Sequence, residues 1–474
     1  MTARWSWLPS SPEEVEAFVR ENLALFHQPR QWRAPLEQIE VEKIDVLFCH
    51  PPYYDVRLDV KYGEERLHYY LSFTLLPTPD GNAQWKGRRV WIVDKYADEV
   101  FIVRLYEHLI TQEPMGALRF ENWFPVVFRT TEVERLEVRS LFRSAYEPTT
   151  NYLYRLDVYV YDESGLRHLP VLVKRYLPRS PPDRGNRELL ALRTLRNITP
   201  NVYAAVYDTS LKVHGEDTVV ALFTEFVEGG EIGYELWREF DDASAHRIED
   251  IHRTAIPSLI REAVRHIVYP LHSQGFIRLV GGALPPTTYY ESLVRELESN
   301  LRILQNEGLL SSEEARQLLN IWIAVNDYVL YRIPATLIHH DLMWRQILRT
   351  RWGSLLLVDL DECRFGHAAK DIADLMAANR FIAESLPPDR RMYGRALAEQ
   401  ANRILLEEYK RLAGDAEWMR NFDAALEAYL AFRHLHDAAY FAPVRRFLDR
   451  YQYQVEFSLR YARQEFRRLE RFLY

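Results

Sequence analysis

Cysteine and long apolar runs are both scarce in this sequence. Only Cys49 and Cys363 occur among 474 residues, so the chain can form at most one disulfide and has no cysteine cluster for a metal ion. No stretch approaches the ~20 consecutive apolar residues of a membrane-spanning helix. The opening, MTARWSWLPSSPEEVEAF, becomes acidic where a signal peptide would have its apolar core. We therefore expect a cytoplasmic protein that does not bind membranes.

An excess of positive charge is absent too. The formal net charge is −8, which argues against nucleic acid or an anionic membrane as the partner. Lysine supplies only eight of the 60 lysine and arginine residues, so each lysine can be considered individually. Hydrophobic residues make up 47% of the chain, which is enough for a sizeable core, and the length suits two or three packed units.

Residues 1–130 are predicted to form an N-terminal α+β cap. Ser11 is a candidate N-cap, Pro12 suits the first helical position, and Glu14 would complete a capping box with Ser11. A helix is therefore expected as far as Phe26.

Strand patterns dominate the next part of the sequence. β-branched and aromatic residues predict a meander over residues 44–76 with a turn at Gly63, then a strand in RRVWIVD and a helix in ADEVFIVRLYEHLIT. Residues 131–228 are predicted to form a second strand-rich unit. It has two strands joined by a turn at 163–165, a helix in RGNRELLALRTLRN, and two further strands that lead into Gly229 and Gly230.

Long amphipathic helices dominate residues 229–474. They are interrupted by two short strands, in TLIHHDL and SLLLVDLDE. A five-strand region that carries one lysine, followed by helices interrupted by two carboxylate-bearing strands, is typical of a kinase. The sequence therefore predicts an α+β, bilobal protein-kinase-like fold with an additional N-terminal cap.

Side chains around the two short strands suit phosphoryl transfer. IHHDLMWRQIL contains the pattern H-x-D-x-x-x-x-Q, with His339, Asp341 and Gln346, and Asp359 ends the apolar strand that follows. The reaction needs a carboxylate that orients and deprotonates the attacking hydroxyl, and oxygen ligands that hold magnesium against the phosphates. Asp341 suits the catalytic role, whereas the Gln346 amide oxygen and the Asp359 carboxylate suit a Mg²⁺ ion.

These motifs resemble those of the aminoglycoside phosphotransferase and choline kinase superfamily, whose loop reads H-G-D-x-x-x-x-N and whose next strand ends in aspartate. HAAKDIADL is similar to the segment that follows in the family, and Asp371 matches the aspartate that steadies the catalytic loop. His340 stands where the family usually has glycine, which tolerates a positive φ more readily. Asp361 has two interpretations, a ligand of a second magnesium ion or the cap of the next turn.

The resemblance also implies an ATP site. Lys174 ends the apolar run PVLVK, and kinases use this lysine to bind the α- and β-phosphates while it pairs with a glutamate, for which Glu188 is the candidate. A lysine that extends from a strand edge into solvent is the alternative. Asn151 would offer hydrogen bonds to the phosphates, although a plain hairpin turn fits equally well. Backbone groups of Glu225 and Val227 would bind adenine.

Within the superfamily, the chain resembles the bacterial maltokinases. The length is similar, a cap precedes the kinase lobes, and Gln346 replaces the usual asparagine. Two departures concern the metal strand, which reads DLDECR rather than D-F-E-G-E-P, and Met343, where the family has histidine. The resemblance implies an ATP- and Mg²⁺-dependent kinase that phosphorylates a hydroxyl of a sugar, with maltose as the favoured acceptor.

Several alternatives stay open. Glucosamine, another amino sugar or an aminoglycoside is a different acceptor, and a nucleotide-binding pseudokinase is a different class of protein. The cap is a candidate docking site for a partner enzyme. The aromatic residues near the C-terminus suit either a core or a sugar-binding platform; they include Tyr429, Phe432, Tyr440, Phe441 and Tyr451. A metal hydrolase is disfavoured because His339 and His340, as neighbours on a strand, would point to opposite faces.

Overall fold

The computed structural model describes most of the chain. The described residues are 6–26, 36–95, 100–101, 104, 119–122, 132–140, 151–162, 165–176, 184–196, 205–213, 216–248, 250–279, 286–332, 334–445 and 449–472. The chain divides into two compact units, the first of Met1–Arg193 and Tyr203–Val227, and the second of Thr194–Val202 and Glu228–Tyr474. The domain boundaries at residues 130 and 228 stay predictions.

The first helix begins where the sequence predicts. In α1, Pro12–Glu21, the N-cap hydroxyl of Ser11 accepts a hydrogen bond from the backbone N–H of Glu14 at 3.3 Å. The expected capping box with Ser11 is wrong, because the Glu14 carboxylate accepts the backbone N–H of Ser10 instead, at 2.9 Å. Glu14 therefore fixes the start of the helix through two groups, its backbone N–H and its carboxylate.

The predicted helix does not continue unbroken to Phe26. The side-chain amide of Asn22 donates to the carbonyl oxygen of Phe18 at 2.9 Å. Side-chain hydrogen bonds of this kind compete with the helical backbone pattern. The helix therefore ends before Asn22, and a short helix α2, Leu23–Phe26, follows.

A five-stranded antiparallel sheet packs against α1. Its strands, in the spatial order β1-β2-β3-β5-β4, are β1, Glu40–His50; β2, Tyr53–Tyr62; β3, Glu65–Pro77; β4, Ala83–Trp85; and β5, Arg88–Asp94. The predicted meander is confirmed, with Gly63 at φ 60° in its turn. Val15, Phe18 and Val19 are fully buried in the core between α1 and the sheet. Burying one such side chain contributes roughly 1.5–3 kcal/mol.

A second antiparallel sheet in the first unit has six strands rather than the five expected. In the spatial order β6-β10-β11-β9-β8-β7, they are β6, Arg119–Asn122; β7, Glu132–Ser140; β8, Asn151–Asp162; β9, Gly165–Tyr176; β10, Ala205–Val213; and β11, Glu216–Glu225. The sequence analysis assigns segments to β8 to β11 but to neither β6, which is too short at four residues to show a pattern, nor β7. The predicted helix after β9 is confirmed as α3, Arg184–Arg196. The helix expected in ADEVFIVRLYEHLIT lies largely outside the described residues.

Nine helices are described in the second unit. They are α4, Ile232–Ala245; α5, Ile256–Ala263; α6, Tyr269–Leu279; α7, Pro286–Asn306; α8, Ser312–Tyr328; α9, Ala368–Ser385; α10, Arg391–Ala413; α11, Phe422–Phe441; and α12, Asp449–Leu469. Among the helices in the described ranges, none is both long enough and apolar enough to cross a membrane. The helical character predicted for this part of the chain is confirmed.

Short strands lie among these helices and position the candidate site. They are β12, Gly229–Glu231; β13, Thr336–Ile338; β14, Ile347–Thr350; β15, Leu355–Leu357; and β16, Arg364–Gly366. β12, β14 and β15 form one antiparallel sheet, and β13 pairs with β16. Because β14 pairs with β15, the loop between β13 and β14 and the segment after β15 meet at one end of this sheet.

Candidate active site

The loop after β13 is held by the buried carboxylate of Asp371, in the first turn of α9. The carboxylate accepts the backbone N–H groups of His339 and His340, each at 2.8 Å. It also contacts Nε2 of His272 at 3.0 Å. Burial would raise the pKa of Asp371, but its hydrogen bonds and the charges of His272 and His339 hold this pKa below the usual range. The role predicted for Asp371, to steady this loop, is confirmed by these contacts.

His340 adopts a left-handed backbone conformation, which glycine tolerates more readily than histidine. Its φ is 73°, in the left-handed region that costs most residues roughly 1–2 kcal/mol. The peptide is clamped on both sides, because its N–H donates to Asp371 and its carbonyl accepts Nζ of Lys370 at 2.7 Å. The loop geometry is therefore kept by these two contacts although a histidine replaces the glycine.

We expect opposite results from two substitutions of His340. His340→Gly keeps the loop conformation, so activity should stay within a few-fold of the unsubstituted protein. His340→Val places a β-branched residue at φ 73° and should lower the free energy of unfolding by about 2 kcal/mol or more. Urea unfolding of both variants measures the difference. Equal stabilities would contradict the left-handed conformation.

Asp341 follows this clamped peptide and lies against an arginine. Its Oδ1 accepts Nη1 of Arg433, on α11, at 2.5 Å, while 38% of the Asp341 side chain remains exposed. Burial acts to raise the pKa of Asp341, but the charges of Arg433 and Arg345 outweigh it and hold the pKa well below the usual range. Asp341 is therefore an accessible carboxylate that stays ionised.

Arg433 is a site residue that the sequence reading missed. It is buried and ion-paired with three carboxylates: Asp341 at 2.5 Å, Asp437 at 3.0 Å and Asp374 at 3.6 Å. Nζ of Lys370 lies 2.7 Å from Asp374. Burial raises the pKa of Asp374 to about 6, which still leaves it ionised at neutral pH. The sequence feature that could have indicated Arg433 is an arginine within YLAFRHL, a mostly apolar stretch of helix.

Removal of the Arg433 charge should change the pH dependence of the reaction. Arg433 favours the ionised form of Asp341, so Arg433→Met raises the pKa of that carboxyl. We expect the acidic limb of the pH profile of kcat/KM to move up by roughly 1–3 pH units, and Arg433→Lys to move it much less. Arg345→Met should move the limb in the same direction but less, because Arg345 also lowers the pKa of Asp341 yet is exposed to solvent. An unmoved limb in Arg433→Met would contradict this coupling.

The candidate metal ligands come together through Val358. The backbone N–H of Val358 donates to the carbonyl oxygen of Gln346 at 2.9 Å, and its own carbonyl contacts Nε2 of His339 at 3.0 Å. Asp359 is the next residue and turns the chain with φ 67°. Gln346 and Asp359 therefore lie on two neighbouring segments of backbone, beside the loop that carries Asp341.

The donor set of these residues fits magnesium. An amide oxygen and a carboxylate are hard oxygen ligands, and magnesium takes its remaining ligands from phosphates and water. Oε1 of Gln346 accepts the backbone N–H of Met343 at 2.5 Å. The second lone pair of this oxygen could bind a metal ion. Nε2 of Gln346 is buried without a hydrogen-bond partner among the described residues. The part of the chain that the structure describes contains no group of three or more histidine, cysteine, aspartate or glutamate side chains that would hold a metal ion.

The two residues proposed for the nucleotide phosphates form an ion pair in the first unit. Nζ of Lys174, on the central strand β9, lies 2.7 Å from Oε2 of Glu188 on α3. The hydroxyl of Tyr176 donates to the same oxygen at 2.8 Å. Both charged side chains are buried, so the alternative of a solvent-exposed lysine is excluded. The role of the pair in phosphate binding stays a prediction.

The backbone groups proposed for adenine lie at the end of β11. Phe226 donates its N–H to the carbonyl of Pro170, at the edge that pairs with β9. Backbone groups alternate in direction along a strand, so the N–H and C=O of Glu225 point away from β9. Val227 lies beyond the strand, and the role of both residues in adenine binding stays a prediction. Asn151 is the first residue of β8; its side chain lies outside the described residues.

The fold is that of the kinase-like phosphotransferases, α+β with a strand-rich first unit and a helical second unit. The chain belongs to the phosphotransferase enzyme family, because the model of that family matches residues 155–414, more than half of its length. No curated protein matches the sequence.

Two solved structures of glucosamine kinase are similar over nearly the whole chain. Crystal form B is 14% identical in sequence, covers 97% of this chain and 98% of that chain, and has a TM-score of 0.53. A complex with glucosamine, ADP and inorganic phosphate is 15% identical, covers 95% and 99% of the two chains, and has a TM-score of 0.53. At such identities the likeness concerns the fold, and it confirms the predicted kinase-like architecture.

Proposed function

We propose that this protein is an ATP- and Mg²⁺-dependent kinase that transfers the γ-phosphate of ATP to a hydroxyl group of a sugar, with maltose as the favoured acceptor. One observation carries the proposal: the hydrogen bonds of Val358 align Asp359 with Gln346 beside the clamped loop that presents Asp341. These are the two metal-ligand types and the base that phosphoryl transfer to a hydroxyl needs.

Asp341 acts as the base in this proposal. The acceptor hydroxyl donates a hydrogen bond to the exposed part of the carboxylate, its oxygen forms the new bond to the γ-phosphorus, and the bond from that phosphorus to the ADP oxygen breaks. The hydroxyl proton passes to Asp341. Arg433 fixes the orientation of the carboxylate through its contact with Oδ1, so the other oxygen is directed to the acceptor.

Asp359 and Gln346 would hold the magnesium ion, which when bound neutralises negative charge on the phosphates. In the first unit, Lys174 would contact the α- and β-phosphates while Glu188 keeps it in place. The backbone of Glu225 and Val227 would bind adenine. A fold relative binds ADP, as the glucosamine kinase complex shows for that protein.

Acceptor-dependent formation of ADP tests the proposal. Mg·ATP and the protein are incubated with maltose, glucose, glucosamine, an aminoglycoside or choline, and ADP is measured with and without each compound. We expect ADP formation to depend on both magnesium and a sugar, with the highest kcat/KM for maltose. A protein that binds Mg·ATP but forms no ADP with any acceptor would be a pseudokinase, which contradicts the proposal.

A further inference from the structure

A group of polar side chains lies one helical turn from Arg433. His436 follows Arg433 by three residues on α11, so the two share a face of this helix. Nδ1 of His436 lies 3.4 Å from Oε1 of Glu296 and 3.4 Å from Nδ2 of Asn300. Glu296 and Asn300 are four residues apart on α7, which packs against α11. A polar surface therefore runs from Asp341 through Arg433 to this trio.

Both ends of this polar surface are open to solvent, whereas Arg433 and Asn300 are buried. The side chains of Glu296 and His436 are 30% and 36% exposed, close to the exposed fraction of Asp341. Tyr440, one turn further along α11, is 41% exposed, and its ring stacks on that of His436 with centroids 6.4 Å apart and an interplanar angle of 21°. In contrast, the other aromatic residues considered for a sugar platform are mostly core residues; those buried are Tyr429, Phe432 and Tyr451.

Each carboxylate along the surface lies near at least one cation. Arg433 faces Asp341, Asp437 and Asp374, and Lys370 also contacts Asp374. Burial acts against the charged form of His436, but the Glu296 carboxylate raises the pKa of this imidazole and so favours an ion pair. A polycationic acceptor would therefore compete with these cations for the carboxylates, whereas a neutral acceptor would not.

The contacts within the trio leave hydrogen-bonding capacity for a ligand, because Nδ1 of His436 cannot both donate to Glu296 and accept the amide N–H of Asn300. At 3.4 Å, the contacts of His436 lie beyond the usual range of 2.7–3.2 Å for nitrogen donors. A carboxylate accepts, an imidazolium donates, and an amide does both, which is the combination that hydroxyl groups on neighbouring carbons require. An exposed aromatic ring adds an apolar face for the C–H side of a sugar ring.

We propose that Glu296, Asn300 and His436 bind hydroxyl groups of a neutral saccharide, the acceptor of the phosphate, while the ring of Tyr440 packs against its carbon skeleton. The proposal rests on the proposed kinase function and names the substrate class of the same site. It places specificity for uncharged polyhydroxyl acceptors on α7 and α11.

The test combines calorimetric binding with steady-state kinetics on maltose, glucose, glucosamine and kanamycin. We expect a neutral saccharide to bind more tightly than either cationic compound. Glu296→Gln and His436→Gln should each raise the KM and Kd for that saccharide by about 10–100-fold and leave the KM for ATP within twofold. Glu298→Gln, an exposed position on the same helix, is the matched control and should change neither value.

Each result supports or overturns the proposal. It is overturned if no neutral saccharide binds, if kanamycin is the better ligand, or if both variants bind the saccharide as tightly as the control. Failure of the kinase function itself is seen separately. In that case a saccharide binds, and loses affinity in Glu296→Gln, but no ADP forms.

Discussion

Asp341→Asn should reduce kcat for phosphate transfer by at least about 100-fold, within the range of 10²–10⁴ that general-base catalysis contributes. The amide keeps the size of the side chain but cannot take the proton of the acceptor hydroxyl. Asp341 lies in the helical unit and is proposed to contact the acceptor, so the Kd for Mg·ATP should stay within about twofold. Rapid-quench kinetics and calorimetry measure the two quantities.

Asp437→Asn is the matched control for this experiment. It also removes a carboxylate that pairs with Arg433, at 3.0 Å, but it is not the proposed base. We expect its kcat to fall by less than 10-fold. If Asp341→Asn turned over at a normal rate, or no more slowly than Asp437→Asn, the assignment of the base would be wrong.

Asp359→Asn should abolish the contribution of magnesium to nucleotide binding. The neutral amide is a weaker ligand for a hard divalent cation than the carboxylate, so we expect the affinity for ATP with magnesium to fall by about 10–100-fold. Affinity without magnesium should not fall, because a negative charge near the phosphates has been removed. Titrations of ATP with magnesium and with EDTA give both values.

The control for Asp359 is Asp361→Asn, two residues further along the chain. Asp361 is buried and has two interpretations, a second magnesium ligand or the cap of the next turn. A loss of magnesium dependence in Asp361→Asn as well would indicate a second ligand. Unchanged affinity for Mg·ATP in Asp359→Asn would contradict its role at the metal.

Much of the fold could be predicted because it follows local patterns. The meander after α1, the hairpin of β8 and β9, and the helices of the second unit all have clear periodicity or turn residues. The loop contacts of Asp371 were expected from a motif of consecutive residues. The ion pair of Lys174 and Glu188 was expected from the resemblance to kinases, in which a strand lysine pairs with a glutamate of the following helix.

The remaining features depend on distant parts of the chain. Arg433 follows Asp341 by 92 residues, and no local pattern connects them. The left-handed conformation of His340 results from Asp371 and Lys370, which act on a residue whose own preference opposes it. The Glu14 carboxylate accepts the N–H of Ser10 rather than that of Ser11, and helix propensities do not distinguish between these two adjacent N–H groups.

The most direct test of the central claim is phosphorus NMR of a reaction that contains the protein, Mg·ATP and maltose. The account predicts a new phosphomonoester signal that grows in equal amount with ADP, requires magnesium and is absent with Asp341→Asn. Formation of ADP with inorganic phosphate alone, or no consumption of ATP with any sugar tested, would contradict it.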